Sequence, residues 1–332
     1  MTTVDEATDK DTNSGLGATL RERLRQLLAF GALVVIFVAF SFASPYFFTY
    51  TNVTGILFSA VVIGTLAVGT TFVIITAGID LSIGTGMTLC AVMSGVFLVD
   101  WGLPLALGVV CAILFGGLVG FVNGFNVAVL NIPPFIATLA MMLAAGGLAL
   151  VLSDSQPIYF SDVEGYSDIS TGNIISGVEF PNAVVILAVI AIIAAVLLNR
   201  TIIGRYVFAI GSSQEATALA GVNVRGWKIL IYTFAGLFIG LAGVLISARL
   251  GSAQPALGLG YELQAIAAVV LGGTSLYGGR GTIVGTVIGT LIIAVINNGL
   301  QIISVPQEWQ DVVLGCVVLV AVYFDQLRLR GA

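Results

Sequence analysis

The chain has 332 residues, of which 58% are hydrophobic and 9% charged, with a formal net charge of −5 and a mean hydropathy of +1.09. A soluble domain carries about a quarter charged residues, so this sequence cannot clothe a water-facing surface, and a bilayer is its implied solvent. Histidine is absent, and Cys90, Cys111 and Cys316 all lie in apolar blocks without CxxC spacing, which removes the usual zinc, haem-attachment and dithiol sites.

The N-terminal tail, residues 1–26, opens on a stretch rich in Thr, Asp and Ser with no apolar run. It does not read as a secretory signal, and a disordered cytoplasmic tail is expected. Ten apolar blocks follow, at about 27–44, 53–76, 83–99, 103–126, 133–152, 183–199, 229–248, 262–276, 283–303 and 309–325. Most have the length that crosses a hydrocarbon core of about 30 Å as a helix; the eighth is short. From Val53 to Val99 the single charge is Asp80. One helix over that stretch would be about 70 Å long, so the chain must turn back, and Ala77–Gly84 is where it can. Glycine supplies 41 of the 332 residues, which suits close helix packing in lipid.

Basic residues orient the blocks, because Lys and Arg are retained on the cytoplasmic side of short loops. With ten spans and the N-terminus inside, Lys10, Arg21, Arg23, Arg25, Arg200, Arg205, Arg225, Lys228, Arg280, Arg328 and Arg330 fall inside, and Arg249 alone falls outside. Deleting the short eighth span lowers the agreement from eleven of twelve to eight. The expected fold is therefore an all-α polytopic membrane protein, with ten transmembrane helices over 27–325, a C-terminal tail at 326–332, and both termini cytoplasmic.

On that topology the outer connection 153–182 holds Asp154, Asp162, Glu164, Asp168 and Glu179 and no Lys or Arg. Two readings stand: a solvated cap, or a docking surface for an extracytoplasmic partner, since long loops without evident structure tend to be functional. The inner connection 211–226 contains Glu215–Ala220, a helix-forming run ended by Gly221. Arg200, Arg205, Arg225 and Lys228 flank it, so it is either a plain helical hairpin with topology-fixing charges or a docking helix for an acidic groove.

No segment matches GxxxxGK[ST], so the chain is not expected to hydrolyse ATP or to be an enzyme. A secondary transporter keeps ionisable residues within its spans, and here only Asp80 approaches membrane depth. Asp80, Ser82, Asn123, Asn126, Asn297, Asn298 and Gln301 are the polar residues able to meet a passing hydroxyl. Each can instead bond helix to helix, at about 0.6 kcal/mol apiece. Asp80 precedes a helix start, where a carboxylate caps exposed N–H groups. Trp101, Trp227 and Trp309 sit at span ends as belt residues do, leaving no aromatic platform for a sugar ring. Gly272, Gly273, Gly278, Gly279 and Gly281 serve either close packing or bending. A weak echo relates Gly78, Leu81, Gly84 and Gly86 to Gly273, Leu276, Gly279 and Gly281.

Glu215-Ala216, four residues, then Gly221, with Ile231 ten further on, resembles the EAA loop of ATP-driven importer permeases. Thr217 replaces the usual Ala, and Thr233-Phe234 stands where Leu-Pro is usual. ITAGIDLSIG at Ile75–Gly84, VLNIPPFIATL at Val129–Leu139 and the long match at Ala248–Leu300 resemble the ribose-type sugar permease family. The resemblance covers roughly residues 30 to 325. It implies a type II ABC importer-like permease acting as a homodimer, with a cytoplasmic ATP-binding subunit that uses ATP and Mg, and an external sugar-binding protein. This chain is expected to hold no cofactor or metal and to contact lipid but no nucleic acid. The coupling residues it points to are Gly211, Glu215, Ala216, Gly221 and Arg225. Ribose, another pentose, a polyol or a furanose sugar is the implied cargo; a branched-chain amino-acid permease and a stand-alone secondary sugar transporter are the alternatives.

Overall fold

The computed structural model describes residues 26–174 and 180–330. The tail 1–25 with Lys10, Arg21, Arg23 and Arg25, together with Glu179 in the acidic loop, lies outside the described residues, as do the side chains of Arg328 and Arg330.

In chain order the helices are α1 (Gln26–Ala43), α2 (Tyr50–Ile75), α3 (Ile83–Gly95, prolonged by a π-turn at Val96–Asp100), α4 (Leu105–Ala128) and α5 (Pro134–Leu152). Strand β1 (Ile158–Tyr159) and the short α6 (Asp168–Thr171) come next, then α7 (Asn182–Arg200), α8 (Ile202–Ser212), α9 (Gln214–Leu219) and α10 (Val224–Leu250). Strand β2 (Ser252–Ala253), α11 (Tyr261–Leu271), α12 (Ile283–Ile302) and α13 (Gln307–Arg330) complete the chain. Among the described residues, eight helices are long and apolar enough to cross a membrane: α1, α2, α3 with its π-turn, α4, α5, α7, α10 and α12. This is a multi-pass helical protein of the cell membrane.

Helix starts follow local chemistry. Pro104, Pro133 and Pro181 stand at the N-caps of α4, α5 and α7, and Pro134 opens α5, where a fixed φ and a missing N–H do no harm. Elsewhere side chains cap: Thr201 accepts from Ile203 N, Ser213 from Ala216 N, Asn223 from Gly226 N and Thr282 from Gly285 N.

Helices α2, α3 and α10 form the buried centre, whereas α4, α5 and α7 are buried over a smaller share of their length. The tightest pairing is α4 against α10. Gly116 and Gly120 face Gly236 and Gly240, and a Cβ on any of the four would run into the opposite backbone. Close approach of this kind replaces the missing hydrophobic drive between helices in lipid.

The bundle has two distinct ends. At one, here the α9 end, the α2–α3 and α11–α12 loops meet, with Gly279 N donating to Ile75 O at 2.8 Å. At the other, the β end, β1 and β2 pair antiparallel, Ile158 opposite Ala253 and Tyr159 opposite Ser252.

The eighth apolar block departs from expectation. Its helix, α11, has 11 residues and ends at Leu271, and the remainder of the block turns through Gly273, φ +87°. A helix of that length covers about 16 Å. The chain nevertheless passes from Gly251 at the β end to Gly279 at the α9 end, because residues 254–260 run non-helically into the bundle before α11 begins. There Gly258 and Glu262 abut Gly84, in the first turn of α3. Two helices thus start side by side inside the bundle and run to opposite ends.

The described part of the loop 153–182 holds regular structure that its sequence does not suggest, β1 and α6. Tyr166 anchors it, bonding Ser247 Oγ at 2.7 Å and packing on Phe160 at 4.1 Å between ring centroids.

Candidate functional site

At the α9 end, α9 is a six-residue helix closed by a left-handed Gly221, φ +84°. Gly221 N donates to Ala218 O, and Val222 N to Thr217 O, the paired bonds of a Schellman cap. Glu215, Ala216, Gly221 and Arg225 are exposed. Thr217 turns inward, buried, with its hydroxyl on Ser213 O at 2.7 Å. Lys228 Nζ donates to Gln214 Oε1 at 2.8 Å and ties α9 to the base of α10.

Gly211 is placed differently from the other four. It lies at the end of α8, packed so closely on the α2–α3 loop that a Cβ would collide with the Ile75 carbonyl and crowd Gly279 N. The exposed helix is therefore joined through Gly211 to the α2–α3 and α11–α12 loops at once. The sequence singles out Glu215–Ala220 as the helix-forming run of the connection 211–226 and leaves the residues just before it without an element. The structure corrects this: α8 is a helix that buries Gly204, Val207 and Ile210 and exposes Arg205. Buried positions at i, i+3 and i+6 were the available signal. Leu219, 90% exposed on α9, was also missed.

Asp80, Ser82 and Asn123 come together. Ser82 N and Oγ donate to Asp80 Oδ1 at 2.9 and 2.6 Å. Asn123 Nδ2 donates to Ser82 Oγ at 2.8 Å and to both Asp80 oxygens at 3.4 Å. Asp80 is 1% exposed and Asn123 0%. The expected capping takes the form of an Asx-turn onto Ser82 N, because Ser82 itself occupies the N-cap of α3 and makes no side-chain cap bond. Asp80 lies in the loop between α2 and α3, and burial raises its carboxyl pKa above the usual 3.8, against the lowering effect of Ser82 and Asn123. Asn123 Oδ1 has no hydrogen-bond partner among the described residues.

The remaining polar candidates are scattered. Asn298 and Asn52 exchange two amide bonds at 3.0 Å, locking α12 to α2 near the β end. Asn297 Oδ1 is buried with no hydrogen-bond partner among the described residues. Asn126 is half-buried and Gln301 exposed; neither joins the Asp80 cluster. At the β end Asp154, Asp162, Glu164 and Asp168 are all exposed, and Glu164 and Asp168 line a cavity of about 270 Å³ with Ser161 and Gly251.

A many-helix membrane bundle in which helices start at its centre has the architecture of a transport protein. A family model described as "Branched-chain amino acid transport system / permease component" matches residues 52–322. The chain belongs to that family. It is similar to the ribose import permease protein RbsC of Escherichia coli (strain K12), 41% identical over 297 residues that cover 90% of this chain and 92% of that protein. The fructose import permease protein FrcC of Rhizobium meliloti is 36% identical, covering 97% and 93%. The D-allose transport system permease protein AlsC of Escherichia coli (strain K12) is 35% identical, covering 90% of each. No solved structure matches the chain.

Proposed function

We propose that this chain is the membrane permease subunit of an ATP-driven importer that passes a sugar, delivered by an external binding protein, into the cytoplasm. The observation that carries this reading is nearly full-length similarity to import permeases named for ribose, fructose and allose. These favour a sugar over the branched-chain amino acid in the family's description. ATP and Mg belong to a separate cytoplasmic subunit, and a second copy of the permease completes the complex.

Ten crossings over 27–325 suit the geometry, with α11 and residues 254–260 together making the eighth and α13 the tenth. Arg200, Arg205, Arg225, Lys228 and Arg280 gather at the α9 end, while Arg249 stands at the far end of α10, its guanidinium 4.2 Å over the Phe58 ring. The positive-inside rule then makes the α9 end cytoplasmic. There Glu215, Ala216 and Leu219 present a docking face to the ATP-binding subunit, and Gly211 transmits its movement to the loops at Ile75 and Gly279. Asp80, Ser82, Asn123, Asn126, Asn297 and Asn298 remain candidates for the path or gate; of these the Asp80 cluster holds the inner loop and Asn298 joins two helices.

The test is reconstitution in proteoliposomes with the ATP-binding subunit and the external binding protein. ATP-dependent uptake of a pentose or hexose, uncompeted by leucine, is expected. Uptake driven by an ion gradient without the ATP-binding subunit would overturn the reading.

The acidic rim of Asp154, Asp162, Glu164 and Asp168, with Glu179 in the same loop, fits a binding protein whose contact surface carries Lys or Arg. Reversing Asp162, Glu164 and Asp168 together to Lys is expected to slow uptake by about tenfold at low salt through slower association. The deficit should shrink as ionic strength rises, because these exposed charges are screened. Equal rates at every salt concentration would remove the rim from docking.

A further inference from the structure

A second cavity, of about 610 Å³, opens at the β end beside the acidic one. Its polar lining is Ser155, Ser252 and Gln254, its apolar lining includes Pro157, Pro255 and Leu257, and no charged side chain lines it. The volume falls within the range of small-molecule sites. Hydroxyl and amide groups set among proline and aliphatic surface match a ligand with hydroxyls on its edges and C–H groups on its faces. A zwitterion would find no counter-charge here and would lose hydration without compensation.

Local bonding prepares the polar wall. Gln254 Nε2 donates to Ser252 Oγ at 2.9 Å, which fixes the amide and leaves Oε1 without a hydrogen-bond partner among the described residues, open to an incoming hydroxyl. Ser252 is itself held in the β1–β2 pair. Ser155, which lines the cavity, and Asp154 before it are consecutive left-handed residues, φ +58° and +50°, a conformation that non-glycine residues rarely adopt and that tends to mark functional segments.

The cavity borders the non-helical run that leads to α11. Irregular backbone inside a membrane bundle persists only against protein or water, and transporters place cargo at such helix breaks. Leu250 and Ser252 line this cavity while Gly251 between them lines the acidic one, so the two share a wall. A ligand released from a protein docked on the acidic rim arrives next to a charge-free chamber.

We propose that this cavity is the first station of the cargo within the permease, a weak site for a neutral polyhydroxylated ligand held by Gln254, Ser252 and Ser155. The proposal rests on the importer reading above. The test uses the full reconstituted importer with labelled D-ribose, D-fructose and D-allose, measuring initial uptake and the ATP hydrolysis stimulated by loaded binding protein. Gln254→Leu, which removes one hydrogen-bonding amide at similar volume, is expected to lower uptake by about fivefold while stimulated hydrolysis persists. Ala256→Trp, which fills the cavity, should lower uptake further, and Gln254→Asn should recover part of the loss. Unchanged uptake in both Gln254→Leu and Ala256→Trp would overturn the proposal. Parallel loss of uptake and stimulated hydrolysis in both would also overturn it, since the cavity would then serve docking. Failure of the unaltered importer to take up any of the sugars would count against the importer reading instead.

Discussion

Gly211→Val is expected to leave ATP hydrolysis by the associated subunit running while uptake falls steeply. The glycine packs against backbone, the Ile75 carbonyl and Gly279 N, so no side-chain rotation can make room and the loops themselves must shift. Overpacking of this kind costs about 1–3 kcal/mol, roughly 5- to 150-fold if it falls on the transport step. Gly211→Ala should already be impaired, because a Cβ alone collides. Gly221→Val makes a useful contrast. No atom lies within 4 Å of a Cβ there, and its cost is only the left-handed backbone, about 1–2 kcal/mol. It should loosen the end of α9 and reduce coupling less than Gly211→Val. Glu215→Lys alters an exposed charge and should act through docking alone. The ratio of sugar moved to ATP hydrolysed separates the three; a normal ratio for Gly211→Val would mean that movement does not pass through this contact.

Asp80→Leu is expected to be among the most destabilising single changes in the bundle. It strands the N–H and hydroxyl of Ser82 inside protein and takes from the Asn123 amide its two longer bonds, leaving only the one to Ser82 Oγ; each buried group left without a partner costs about 1–3 kcal/mol. Asp80→Asn keeps an acceptor toward Ser82 and should lose far less. Asn123→Asp sets two carboxyl groups together and should be severe, whereas the exchange Asp80→Asn with Asn123→Asp restores one carboxyl and one amide. The double variant should therefore unfold at a higher temperature than Asn123→Asp alone, a coupling that a thermodynamic cycle in detergent would measure. Strict additivity would show that the three residues do not act as a unit.

Hydropathy revealed the helices but not their environments. Helices α2 and α7 are comparably apolar, yet most of α2 is buried and most of α7 is only partly buried or exposed, because lipid and protein interior make the same demand on a side chain. The Asx-turn at Asp80 was legible because its partner is two residues away. The bond from Asn123 was not, since 43 residues separate the pair and no periodicity encodes that meeting. The pairing of Asn52 with Asn298 was hidden for the same reason. Gly221 announced the end of α9 through its backbone freedom, whereas only the family resemblance singled out Gly211, and nothing in the sequence showed that Ile75 and Gly279 pack against it. The eighth block was recognisable by composition and charge balance, but its break before α11 depends on how residues 254–260 pack near α3.

The glycine seam between α4 and α10 bears on how force travels through the molecule. With Gly116 and Gly120 against Gly236 and Gly240 there is no compliant layer of side chains to absorb shear, so the two helices form one stiff strut. Helix α10 begins within five residues of α9 and ends at Gly251, and its 27 residues make a rod about 40 Å long. A tilt imposed at Val224 by a moving partner arrives at Ser252 with little elastic loss. Under the proposed coupling, the strut that would receive the push at its α9 end carries, on its opposite tip, the wall shared by the acidic and the charge-free cavities.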